Sequence, residues 1–150
     1  MDSSPIARRS GRVHHCAVDT ADVALWVAGY LEDFAALGRG EIEDVGRILT
    51  HYGVPLILGS DAECVILTDE AQVQAAAQQQ FDALQSAGYD RSEVLSAEST
   101  VLNKSCAIHH GRYARIRADG SEISRIESTY LITEGPAGRR ISAIVRHTPK

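Results

Sequence analysis

Apolar positions keep one period up to Ala87 and another from Ser92 onward. In the first half they recur at steps of three and four. Val23, Trp26, Val27, Tyr30, Leu31 and Phe34 make one stripe, which predicts a helix capped by Asp19 or Thr20 and running to about Leu37. Gly38 and Gly40 supply its stop. A shorter second helix follows. Glu41, Glu43 and Asp44 suit its first turn through the helix dipole. Ile42, Val45, Ile48, Leu49 and Tyr52 form its buried side, and Gly53 and Pro55 end it. A third helix, capped by Thr68 or Asp69, carries Val73, Ala77, Phe81 and Leu84 to a stop at Gly88. Between the second and third helices, Pro55–Leu58 and Ala62–Leu67 flank Gly59-Ser60-Asp61 and read as a short strand pair.

From Ser92 to Arg146 the period becomes two, which predicts an antiparallel meander. Asp119-Gly120 is a hairpin signal, because both residues tolerate the positive φ of a tight turn. Gly135-Pro136-Ala137-Gly138 marks a second, looser turn. Ile126, Ser128, Tyr130 and Ile132 fall on one face of their strand. In the last strand Ile141, Ala143 and Val145 alternate with Ser142, Ile144 and Arg146, so neither face is wholly polar. Such a strand is covered on both sides, by helix on one and a partner subunit on the other. The expected fold is α+β: a cone-shaped, curved antiparallel sheet packed on three helices from the N-terminal half.

Composition narrows the setting. The chain has 150 residues, of which 44% are hydrophobic and 23% charged, as in a globular domain. A net charge of -5 argues against nucleic acid or anionic membrane as partner. Arg112, Arg115, Arg117 and Arg125 are divided between strand faces, which weakens a nucleic-acid reading further. No apolar run approaches the roughly 20 residues of a membrane helix. Residues Met1–Val18 are small, polar and aperiodic and read as a mobile tail, leaving 19–150 as the domain. Cys16, Cys64 and Cys106 are odd in number and far apart, which fits reduced thiols in a cytoplasm. Cys64 and Cys106 are expected as small core residues.

Three segments, His51–Leu58 (HYGVPLIL), Arg117–Gly120 (RADG) and Ser128–His147 (STYLITEGPAGRRISAIVRH), together with the order of elements, carry a family resemblance. The chain resembles the nuclear-transport-factor-2-like superfamily over about Thr20–His147. That superfamily includes SnoaL-like polyketide cyclases, ketosteroid isomerases and limonene-epoxide hydrolases. The resemblance implies a cone with a pocket at its wide end, lined by concave-face and first-helix side chains. It also implies pairing into homodimers through the outer face of the sheet. Arg140 stands where such sequences often carry a Trp. The Asp base of the isomerases and the Asp-Arg-Asp set of the hydrolases are not visible here.

The polar candidates for a site are Tyr30, Tyr52, His110, Arg112 and Tyr130, with His110 as candidate acid or base. His110 and Arg112 share a strand face with Ile108, Ala114 and Ile116. If that face is concave they form a pocket floor; otherwise they belong to an exposed or interface face. Glu98 and Glu127 lie on neighbouring strands as partners for Arg112. Asp61 is either a turn residue or a group at the pocket mouth. His109 and His110 point oppositely and cannot share one metal ion. His14-His15-Cys16 is poorly spaced for a metal site. No phosphate loop, paired CxxC or GxSxG occurs, so neither cofactor nor metal is expected. Two readings follow: a pocket for a small, largely apolar molecule, with proton transfer or hydration as its chemistry if catalytic, or an association module whose pocket is filled by its own side chains.

Overall fold

The computed structural model describes residues 19–149. The expected tail, with His14, His15 and Cys16, lies outside them. Helix α1 spans Thr20–Arg39. Asp19 caps it, accepting from the Asp22 amide at 2.9 Å. Val23, Val27, Tyr30, Phe34 and Leu37 are its buried stripe. The two glycines near its end do different work. Gly40 is the left-handed C-cap, with φ 81°. Gly38 is still helical and buried, and it lets the Tyr89 ring lie directly against the helix. The short second helix is a 3-10 segment, Val45–Thr50, capped by Asp44.

Strands β1 (Tyr52–Gly59) and β2 (Cys64–Leu67) form the early hairpin. Helix α2 (Glu70–Ser86) follows, with Asp69 as its cap. Then come β3 (Tyr89–Val101), β4 (Cys106–Arg117), β5 (Glu122–Gly135) and β6 (Gly138–Arg146). The sheet order is β2-β1-β6-β5-β4-β3. All neighbours are antiparallel except β1 and β6, so the curved sheet is mixed and is not closed. The early hairpin docks on the last strand and thereby extends the meander.

The helices cover the concave side. Phe34 meets Phe81 of α2 at 5.1 Å and Tyr89 of β3 at 6.2 Å between ring centres, both edge-on. Two apolar rows on β1 and β2 do not face this core. Cys64 is exposed rather than buried, as is Ile66, because β2 is an edge strand covered on one side alone. No helix among the described residues is long and apolar enough to cross a membrane.

Candidate functional site

The alternation of β4 decides what faces the core. Ala107, His109 and Tyr113 are buried on the concave side, and Arg115 follows in the same parity. Gly111 is bare because any Cβ there would overlap the Tyr113 ring. His110 and Arg112 therefore do share a face, but it is the outer one. This corrects the pocket-floor alternative: neither lines the cavity. Glu127 sits with them, its Oε1 4.0 Å from Arg112 Nε, while Glu98 lies opposite His110 in the register. The reason is that the outer face is itself apolar, so an apolar set did not identify the inside.

The cavity has a volume of about 370 Å³ and lies between α1, α2 and the concave face. Phe34, Leu56, Val73, Ala77, Ile126 and Ile144 make its apolar wall. Tyr30, Tyr52 and Tyr130 also line it, from α1, β1 and β5 respectively. The Tyr30 and Tyr52 hydroxyls lie 2.9 Å apart. Burial, first of all, raises the pKa of each, so both remain phenols rather than phenolates. Only one of their two hydroxyl hydrogens is needed between them; the other is available to a third group. Trp26 does not plug the cone. It packs on His51 behind Tyr30, where His51 Nε2 also meets Asp33 Oδ2 at 2.8 Å.

Two residues of the wall escaped the sequence reading, Arg115 and Arg146. Arg115 stands opposite Ser92 of β3, with its guanidinium 5.7 Å from the centre of the Phe34 ring. Its Nε is buried and has no hydrogen-bond partner. Burial, and then Arg146, depress its pKa. A guanidinium nevertheless keeps its charge. Arg146 is turned inward by an irregularity of β6. Leu131 pairs with Ala143 but Ile132 with Ile141, so one residue is extra and the parity flips after Ser142. Arg146 Nε donates to Ser128 Oγ at 3.0 Å. Neither arginine has a carboxylate partner among the described residues. Glu63, exposed at the mouth, is the only acidic group among the described residues that line the cavity. Asp61 is not on the wall; it accepts a hydrogen bond from Thr148 in the β1–β2 turn.

This geometry can hold a small molecule with an apolar body and an anionic end. Its inner wall offers cations and phenol donors but no buried carboxylate to act as base.

Solved structures share the fold. An NTF-2 like protein of unknown function from Shewanella oneidensis MR-1 superposes with a TM-score of 0.62 at 19% identity, over 84% of this chain and 96% of that one. A domain of unknown function with a cystatin-like fold from Nostoc punctiforme gives 0.64 at 19% identity, over 89% and 80% of the two chains. A putative calcium/calmodulin dependent protein kinase II association domain from Xanthomonas campestris gives 0.57 at 12% identity, over 86% and 87%. No curated protein matches the sequence. Residues 21–149 match the family described as NTF2-like protein (DUF6841), and the chain belongs to that family.

Proposed function

We propose that the domain binds a small organic acid in its cone, with the carboxylate at Arg115 and Arg146 and an apolar body along Phe34, Leu56 and Ile126. The observation that carries this is Arg115: a half-buried guanidinium on the cavity wall whose buried Nε is unsatisfied, with no carboxylate paired to it among the described residues. Burying a charge without a counter-charge is costly, and a bound anion removes that cost. The volume lies within the usual range of roughly 300–1,000 Å³ for ligand pockets. A panel of medium-chain and aromatic carboxylates, with their amides as neutral controls, tests it by thermal shift and calorimetry. Acids should raise the melting temperature and amides should not, and Arg115→Met should abolish the difference. Equal shifts by acid and amide, or none at all, would remove the proposal.

A catalytic reading, as isomerase, cyclase or hydratase, is favoured by the spare hydroxyl hydrogen of the Tyr30–Tyr52 pair, which suits a developing oxyanion. Turnover of a carboxylate that binds, lost in Tyr30→Phe, is its test. A homodimer in the cytoplasm completes the proposal. Ile66, Ile57, Ala143, Leu131 and Ile108 follow one another by register across five strands of the outer face. Ile66 and Ile57 are 59% and 39% exposed, too apolar a row to leave in water. Light scattering of Ile57→Lys against the unaltered chain checks this; a monomer in both would contradict it.

A further inference from the structure

A second group of titratable side chains lies outside the cavity. His110 from β4, Glu127 from β5 and His147, just past β6, stand together on the outer face. His110 Nε2 is 2.5 Å and His147 Nδ1 3.5 Å from Glu127 Oε2. The two imidazoles stack at 5.0 Å with 21° between their planes. One ligand atom from each of the three residues lies within 4.8 Å of the others.

We propose that these three side chains bind a divalent transition-metal ion, zinc above all, with solvent in the remaining position. Two imidazoles and one carboxylate are the donor set of an open zinc site. Donors about 2.0–2.1 Å from a tetrahedral ion sit about 3.4 Å from one another. The His147–Glu127 distance already meets that spacing. His110 and Glu127 have to separate by about 1 Å, within reach of a small side-chain rotation.

The surroundings are arranged for it. His147 Nε2 is 2.7 Å from Thr129 Oγ1. With Nε2–H donated to that hydroxyl, the lone pair of Nδ1 is directed to Glu127. Ligand histidines are oriented in this way by their second nitrogen. The backbone is equally committed: His147 N–H donates to Glu127 carbonyl at 2.9 Å, and His110 pairs with Thr129. Side-chain exposures of 39%, 20% and 35% leave room for a solvent ligand. One group works against the ion, since Arg112 Nε stands 4.0 Å from Glu127 Oε1. His109, buried on the opposite face, takes no part, because the second imidazole comes from His147.

Zinc titration of the full chain by calorimetry tests the site. One saturable equivalent is expected, weakened at least tenfold by His110→Ala and by His147→Ala. Thr129→Val should weaken it about 10- to 100-fold, the range for residues that orient a ligand. Arg112→Ala should strengthen it. A variant with His14, His15 and Cys16 all changed to alanine should bind as the unaltered chain does. Imidazole resonances followed on zinc addition to the unaltered chain provide a readout independent of mutation. Shifts should appear at His110 and His147 and not at His51 or His109. Absent saturable binding, unchanged affinity in both histidine variants, or loss confined to the tail variant would each overturn the proposal.

Discussion

The hydroxyls of Tyr30 and Tyr52 meet at 2.9 Å, tying α1 to β1 inside the cone. Each hydroxyl has the other as its hydrogen-bond partner, so the two should fail together. Tyr30→Phe or Tyr52→Phe alone strands one buried hydroxyl, at about 1–3 kcal/mol. Replacing both removes the problem along with the bond. Urea denaturation of the two single variants and the double variant should show the double less destabilised than the sum of the singles. Strict additivity would mean that the hydroxyls do not depend on each other.

His109 gives a pH dependence of defined sign. It is buried on the concave side with Nδ1 2.7 Å from Ser99 Oγ, and burial followed by the neighbouring His110 lowers its pKa. The unfolded chain therefore binds this proton more readily than the folded one. Stability is full above the ordinary histidine value of about 6.5 and is lost as pH falls from there through the lowered folded pKa. His109→Gln should flatten the drop in urea midpoint between neutral and mildly acidic pH. An equal drop in both proteins would remove His109 as its source.

Much of this was legible because it is local. Asp19 and Asp69 announce their helices by the cap chemistry of single residues, and both do cap. Tyr30 falls on the cavity because a helical stripe has a single apolar side. Tyr130 falls there because β5 keeps its alternation through Ile126, Ser128 and Ile132. His110 and Arg112 show the limit. Alternation says which residues share a face but not which face is inside, and the outer face carries Ile108, Ala114 and Ile116. Arg146 was hidden by the extra residue near Ser142, which no pattern of hydrophobicity marks. Arg115 could have been found from Tyr113 and Gly111. A glycine beside an aromatic in a strand marks a ring folded over the backbone, and hence the packed side.

Gly38 makes a counter-intuitive case for helix propensity. Alanine in a helix interior ordinarily stabilises by about 1 kcal/mol relative to glycine. Here the added Cβ would sit 2.7 Å from two carbons of the Tyr89 ring. That ring also packs on Phe34 and hydrogen-bonds Ser92, so it has little freedom to retreat. Gly38→Ala should therefore destabilise by about 1–3 kcal/mol, as overpacking does. Thermal unfolding with Gly29→Ala as the comparison checks it, since a Cβ at Gly29 meets nothing within 4 Å. A rise in melting temperature for both would contradict the packing argument.

Arg115 sets stability against binding. In the ligand-free protein its guanidinium is half-buried beside Phe34 and near Arg146, with Nε buried and unsatisfied. Methionine keeps the long apolar stem and removes both the charge and the orphaned donor. Arg115→Met should gain about 1–3 kcal/mol, the usual scale for relieving an unpaired buried polar group. The ligand-free variant should thus unfold at higher urea than the unaltered chain, while losing its response to carboxylates. Sites kept for a ligand commonly carry such a cost in its absence. Saturating the unaltered chain with a bound acid should close the gap, because the anion supplies the missing counter-charge. A variant less stable than the ligand-free parent would show that Arg115 already has its partner and that the cavity is not held open for an anion.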